Sequence, residues 1–415
     1  MFLCKRSQPA KAKKIVYPLN FDLEQMSGED LAESFNIEKD GNGIKTVYKI
    51  NTNNFGTPAR QGIISKDDLF YVMTDKGLCV VLENYSEIML NAYATDVSGC
   101  YYRENVLISA KDLGTYMVYL NIATKVSDDG FSSMTSCADR VFGLDKDRVR
   151  YTAAGKYDGW EEGESITLPS ECNAIVAIGE KVYALGNDCY VITPQADDVE
   201  FKVTSLAKNI GTVSRMSVQN YNNRVIFGSS KGLYQLCSDK ITRIFTCLND
   251  TVDLSASAAA LFNGKYYLSC RTKSGSSSTN DVTLGLNLDE EKIVGLLQYG
   301  YESMGKTDTR VYGVCNGVSR NFIFNPMYSK FVKSNIDLSH FGKKYLDWMS
   351  IRTLRELDVT IRSETETRLY KLEGKNSVQK INLRDMGCKF SIELFSQRGI
   401  FVSDLLIFAH VSEEV

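Results

Sequence analysis

The chain has two histidines among 415 residues, His340 and His410, both near its end. That scarcity removes most imidazole-based catalysis and metal binding, for which His is the usual group near neutral pH. Eleven cysteines are scattered with no C-x-x-C pair, so zinc-ligand spacing and redox motifs are missing. An odd, unpatterned set in a chain this long reads as reduced thiols used as small core residues, with a reducing cytosol as the compartment of folding. No run of 18 apolar residues exists, so no segment is a candidate membrane-spanning helix. The opening MFLCKRSQPAKAKK is basic but is followed by no apolar stretch, so it does not read as a secretory leader. With 48 basic and 51 acidic residues, no global field draws the chain to nucleic acid or anionic lipid. Proline is rare, six in all, and no long linker separates the parts.

What the chain does have is repetition. The phrases DDLFYVMTDKGLCVVLE (67–83), RENVLISAKDLGTYMVYL (103–120), ADRVFGLDKDRVRYTA (138–153), GEKVYALGNDCYVITP (179–194), NNRVIFGSSKGLYQL (222–236), NGKYYLSCRTKSG (263–275) and DTRVYGVCNGVSRNFIF (308–324) share one form. Each alternates β-branched and aromatic residues on either side of a polar turn, which is the pattern of a hairpin. Their first strand residues are Leu69, Val106, Val141, Val182, Val225, Tyr266 and Val311, spaced 37, 35, 41, 43, 41 and 45 apart. Apolar runs precede many of them, as in ECNAIVAI (171–178), SRMSVQNY (214–221) and SASAAALF (255–262). Others follow, as in KITRIFT (240–246) and KIVGLLQY (292–299). Four short strands every 40 or so residues is the signature of a β-propeller blade. One blade cannot cover both of its faces, and radial stacking lets each hide its neighbour's. The expected fold is all-β: a propeller of about seven four-stranded units over 59–335, an N-terminal arm, short helix and ring-closing strand over 1–58, and a small antiparallel β-sandwich-like module or partial blade over 336–415. Within MSGEDLAESFN, Ser27 and Asp30 form the start of one short helix, and GIKTVYKIN (43–51) is the strand expected to close the ring.

Several motifs invite a chemical reading. GYESMGKT (300–307) fits the phosphate-binding pattern G-x-x-x-x-G-K-T through Gly300, Gly305, Lys306 and Thr307. That chemistry needs a helix N-terminus after the loop, whereas a β hairpin follows here, so a blade connection is expected instead. SDDGFSS (127–133) only partly matches the acid turn of sialidase-type propellers and does not recur, so it too reads as a loop. Asp145, Lys146 and Asp147, between the two DRV phrases, read as a solvated hairpin tip joining adjacent strands of one blade. KYDGWEEGE (156–164) gathers Asp158, Glu161, Glu162 and Glu164 around Trp160. It is a candidate surface loop (Asp158, Trp160, Glu161) in which Trp160 is expected to pack on its own blade. The basic residues Lys5, Arg6, Lys11, Lys13 and Lys14 form a candidate interaction arm, able to touch an acidic partner or, weakly, DNA. No catalytic, cofactor-binding or metal-binding residue is assigned, and no cofactor is expected.

The segment RVFGLDKDRVRYTAAGKYDGW resembles propeller proteins of tailed-bacteriophage virions. The opening is similar as well: an extended YPLNFDLEQM (17–26), a short helix ending at Asn36, then Gly41 and Gly43 leading into a strand. So is the tail, where SVQKINLR and FSIELFS precede VSDLLI. The nearest group is the packaged-DNA stabilisation, tail-hub and head–tail connector type. The resemblance implies a non-enzymatic minor structural protein at the portal or tail, folded in the host cytoplasm and resident in the virion. Its partners would be copies of itself and portal, tail or fibre proteins, in a symmetric assembly. Two alternatives from other classes are a propeller that binds or cleaves glycans through an acid–aromatic cluster at the ring axis, and an intracellular interaction hub.

Overall fold

The structure is a computed structural model that describes residues 13–411 apart from 47, 54–56, 67–68, 82–85, 121, 161–164, 195–199, 325–327 and 339–342. The regular structure of the described chain is almost entirely antiparallel strand, with one short α-helix and a few 3₁₀ turns. No helix among the described residues is long and apolar enough to cross a membrane. The chain divides into two compact units, one of Ile50–Ile293 and Gln298–Ile323, the other of the N-terminal segment to Lys49, Val294–Leu297 and Phe324–Val415.

The first unit is a seven-bladed propeller. Its innermost strands are Ala59–Lys66, Ser98–Tyr102, Ser133–Cys137, Cys172–Ile178, Gln219–Tyr221, Val252–Phe262 and Ser303–Lys306, numbered here as blades 1 to 7. Each neighbours the first or second strand of the next blade, and that of blade 7 returns to Ala59–Lys66, so the ring is closed. Within blades 1 to 6, strand order follows the sequence. The repeated valine, leucine and tyrosine positions all fall in second strands: Leu69–Thr74, Asn105–Ala110, Arg140–Asp145, Lys181–Gly186, Arg224–Ser229, Lys265–Thr272 and Val311–Cys315. The doubled DRV phrase is two paired strands, Asp145 facing Arg148 across a tip where Lys146 has φ 58°. In the sixth phrase the expected hairpin opens out, because a longer connection separates Lys265–Thr272 from Val282–Asn287.

Burial explains why these second strands are continuously apolar rather than alternating. Leu69–Thr74, Asn105–Ala110 and Arg224–Ser229 are buried at every position after the first, since both of their faces meet a neighbour. The interblade cores are the result: Tyr71 and Val80 with Val106 and Ile108, Phe142 and Val149 with Ile175 and Ala184, Tyr183 and Val191 with Phe227 and Leu236. Each such side chain contributes roughly 1.5–3 kcal/mol of burial. Fourth strands such as Ile122–Ser127 lie mostly exposed at the rim. Two glycines set the blade spacing. A Cβ on Gly143 would come within 2.4 Å of the Phe131 ring, and one on Gly313 within 2.3 Å of the Tyr301 ring. The two-residue turns at Asn222–Asn223 (φ 48° and 59°) and Asn263–Gly264 (φ 49° and 73°) have the left-handed backbone that twisted hairpins require.

The ring is closed by the chain's own beginning. Tyr48–Asn53 is the fourth strand of blade 7, beside Val318–Phe324. The stretch 43–51 is therefore not one strand, because Gly43–Lys45 pairs in the second unit.

The second unit holds two antiparallel sheets. One contains Lys13–Pro18, Ile37–Asp40, Gly43–Lys45, Lys344–Thr353, Lys375–Asn382 and Phe401–Val411; the other runs Ser329–Ile336, Phe390–Ser396, Leu357–Arg362, Thr367–Leu372. Strands Phe390–Ser396 and Leu357–Arg362 bury alternate residues, the one-sided pattern of a sandwich layer. The expected boundary at 335 falls inside Ser329–Ile336, which pairs with Phe390–Ser396. The helix forms at Gly28–Glu33, and the Ser27 hydroxyl accepts from Asp30 N as its sequence foretold. The buried Asp30 carboxylate accepts Ser334 N at 3.1 Å and Ser34 Oγ accepts Val332 N at 2.9 Å, which fasten the helix to that strand.

Candidate functional site

The propeller axis is the natural place to look, because the first strands of all blades converge there. Those of blades 1 to 5 and 7 line a cavity of about 380 Å³ whose wall includes Ile64, Ser98, Ser133, Ala174, Gln219 and Met304. Among the described residues of the wall there is no carboxylate and one formal charge, Arg215. The acid–aromatic cluster of a glycan-cleaving propeller is not found there.

Polar side chains of the ring are spent on holding blades together. Gln61 of blade 1 accepts from Val97 N at 3.1 Å at the entry to blade 2, and Ser133 Oγ of blade 3 accepts from Ile175 N of blade 4 at 3.0 Å. Ser303 Oγ of blade 7 accepts from Gly62 N of blade 1 at 2.7 Å, across the point of closure. The fully buried Ser109 and Ser269, in second strands, accept from Phe131 N and Tyr301 N at 2.9 and 2.5 Å and so seat the two rings that cover Gly143 and Gly313. Each bond satisfies a backbone group that burial would otherwise leave bare.

Arg215 crosses the axis. It lies in the short 3₁₀ turn that leads into blade 5, and its guanidinium reaches the entries to blades 2 and 3. Nη1 donates to the carbonyls of Asp96, at 3.2 Å, and Ser132; Nη2 donates to the carbonyl of Val97 at 3.1 Å. The side chain is 14% exposed, and the Asp96 carboxylate stands 3.6 Å away, largely in solvent. Burial pushes the guanidinium pKa down and Asp96 pushes it back up. Arginine stays charged through such shifts. The planar fork thus stops one end of the axial cavity by binding three carbonyls from the opposite side of the ring. Outside it lies a shallow depression of about 470 Å³ edged by Lys111, Asp145, Lys146 and Glu171. The Lys111–Asp145 pair, 3.6 Å apart and mostly exposed, is worth little.

Around the ring, turns at the other ends of the blades form a recurring tie. Tyr102 and Arg103 hold Asp139 of the next blade (3.0 and 2.9 Å), Tyr183 and Lys181 hold Asp239 (2.8 Å from the phenol), and Tyr221 and Arg224 hold Asp289 (3.1 and 2.6 Å). The neighbouring Arg or Lys, then the phenol, keep all three carboxyls below the ordinary aspartate value. These aspartates are anchors between blades.

The sequence motifs take structural places. In GYESMGKT, Ser303–Lys306 is the first strand of blade 7, and a Cβ on Gly305 would lie 2.2 Å from the Phe70 ring; no helix follows. The segment is therefore an inner strand rather than the expected connection. In SDDGFSS, Phe131 is core and Asp129 pairs with Arg150 at 2.6 Å. Trp160 packs with Phe131 (centroids 4.4 Å apart) in a cluster that also holds Tyr102 and Leu107 of blade 2 and Val141 of blade 3. It bridges two blades instead of resting on its own. Asp158 is exposed, and Glu161 lies outside the described residues. Lys13 and Lys14 belong to a strand, paired with Val411 and His410, rather than to a free arm. Lys5, Arg6 and Lys11 lie outside the described residues. Sequence reasoning missed Arg215, which sits in SRMSVQNY, a run that reads as an apolar strand. Its single charge there was the only available signal.

No known family model matches this chain, and no curated protein matches it. Solved structures similar to it include the WD40 β-propeller domain of Doa1 (11% identity, TM-score 0.48, 66% of this chain and 96% of that one). The WD40 repeats of RRP9 are another (7%, 0.48, 68% and 100%). The computationally designed protein Ika8 is a third (11%, 0.40, 65% and 96%). Arrangement of strands into closed, radially stacked sheets makes this chain a β-propeller in its first unit.

Proposed function

We propose that the chain is a non-enzymatic assembly protein, and in particular a minor structural protein of a tailed-phage virion at the portal or tail. The observation that carries the assembly reading is the pair of open sheet edges in the second unit. Among the described residues, Thr367–Leu372 and Lys375–Asn382 each end a sheet, pair on one side only, and leave Leu369 and Val378 more than half exposed (56% and 54%). Unpaired edges of this length invite a strand from a neighbouring chain, and monomeric proteins usually blunt them. The propeller supplies a rigid body: its axis is stopped by Arg215 and its conspicuous aspartates are tied between blades. The virion assignment adds the resemblance of the opening, central and tail segments to phage propeller proteins. The chain would fold in the host cytoplasm, join the particle in several copies, and contact portal, tail or fibre proteins. The test is incorporation. Chain bearing Leu369→Lys and Val378→Lys, folded by circular dichroism, is expected to drop out of particles or of portal–tail assemblies that retain the unaltered chain. Unaltered chain that never enters such assemblies would end the virion reading, and undiminished incorporation of the double variant would end the edge-strand reading.

A further inference from the structure

We infer that the second unit carries a binding site for a phosphate ester, built on the outer face of its larger sheet around His410. Strand Lys344–Thr353 pairs with Phe401–Val411 through a bulge between Leu346 and Trp348, so Asp347 is the extra residue. Bulges re-aim side chains, often beside functional sites. Here the Asp347 carboxylate meets His410 Nδ1 at 2.8 Å. His410 stands directly across from Tyr345 on one side and Lys14 on the other, so the three side chains form one row on one face. The Tyr345 and His410 rings are stacked, 5.1 Å between centroids and 10° between planes. Residues 382–385 run back alongside, held by Leu383 N to Asp347 O (3.0 Å) and Leu346 N to Asp385 O (2.8 Å). Tyr345, Asp347, Arg384 and His410 thereby line a cavity of about 430 Å³.

The cations there are not all paired with the neighbouring carboxylates. Neither Arg384 nor Lys14 has a hydrogen-bond or ion-pair partner among the described residues. Of the acids beside them, Asp347 is held by His410, and the buried Asp385, whose oxygens lack a hydrogen bond among the described residues, faces Arg368 at 3.1 Å. Asp347 also fixes the imidazole, leaving Nε2 as its unengaged nitrogen. A guanidinium fork and an ammonium, joined by the imidazole Nε2 as a donor when the ring is an imidazolium, suit an anion with several terminal oxygens. Phosphate offers three of them, where a carboxylate offers two. The site is independent of the virion assignment, since phosphate can bind whether or not the chain enters a particle.

The chain has only two histidines, so the His410 Hε1 proton can be followed by NMR and assigned with His410→Gln. Inorganic phosphate and glycerol 3-phosphate are expected to move that resonance saturably, with acetate binding at least about tenfold more weakly, as loss of one charge-assisted contact implies. Arg384→Gln should weaken phosphate binding about tenfold and Lys14→Gln several-fold, on the same principle. Both residues are exposed, so the fold is retained, as circular dichroism will verify. A single-stranded oligonucleotide that moves the resonance at lower concentration than glycerol 3-phosphate would support the site and place its source in a nucleic-acid backbone. No saturable shift with any phosphate, equal binding of acetate, or unchanged binding by Arg384→Gln would overturn the proposal.

Discussion

Replacing Arg215 with methionine removes a side chain that spans the propeller axis while keeping its aliphatic bulk. Three carbonyls lose a charged donor, and those of Val97 and Ser132 are part-buried. A hydrogen bond to a charged group is worth about 1.5–3 kcal/mol net, so two of them come to roughly 3–6 kcal/mol. The solvated carbonyl of Asp96 adds little. Methionine in a partly apolar cavity recovers about 1 kcal/mol, leaving an expected loss of roughly 3 kcal/mol. For a unit of this size that corresponds to a fall in melting temperature of about 6–12 °C. Arg215→Lys keeps the charge but not the fork, and should lose about half as much. Trp160 lies in the propeller and Trp348 in the other unit, so urea unfolding followed by fluorescence in a Trp348→Phe background reports the propeller alone. A change below about 0.5 kcal/mol for Arg215→Met, the range of ordinary surface substitutions, would refute the claim that Arg215 ties opposite blades.

Gly143→Ala should cost about 1–3 kcal/mol by overpacking against Phe131, and Phe131→Leu in the same chain should recover part of it; urea midpoints will show both. Trp160→Ala should cost about 3–5 kcal/mol and Trp160→Phe much less, because the indole N–H has no partner among the described residues and the bond from Arg150 goes to the Trp160 carbonyl. Asp139, Asp239 and Asp289 have lower pKa values folded than unfolded, so their stabilisation is complete above the ordinary value of 3.8 and is lost as acid carries the pH below it. The melting temperature of the unaltered chain should therefore fall faster below that pH than the melting temperature of the triple Asp→Asn variant, and parallel curves would contradict the assignment.

The blades were legible because a second strand covered on both faces must be apolar along its whole length. FYVM, VLIS and VIFG carry that constraint openly, and their spacing counts the blades. Ring closure was legible in part: a strand near 43–51 was visible, but its division was not, because Gly43–Lys45 pairs back on Ile37–Asp40 while the partner of Tyr48–Asn53 lies hundreds of residues away. Trp160 could be read as packing but not as bridging, because the ring it meets, Phe131, belongs to a motif that reads as a loop. The axial stop was hidden for a related reason. Arg215 acts through backbone carbonyls, which have no sequence signature. The His410 row was equally obscure, since Lys14, Asp347 and Arg384 share no local motif and meet only through strand register and a bulge.

The central claim is that the chain closes a seven-bladed ring with strand Tyr48–Asn53, which precedes the first blade in sequence. Hydrogen–deuterium exchange of the intact protein tests it most directly. Backbone amides of 48–53 are expected to be protected to the same degree as those of Val318–Phe324, their partner strand. Exchange of 48–53 at the rate of an unpaired segment, with 318–324 protected, would contradict it.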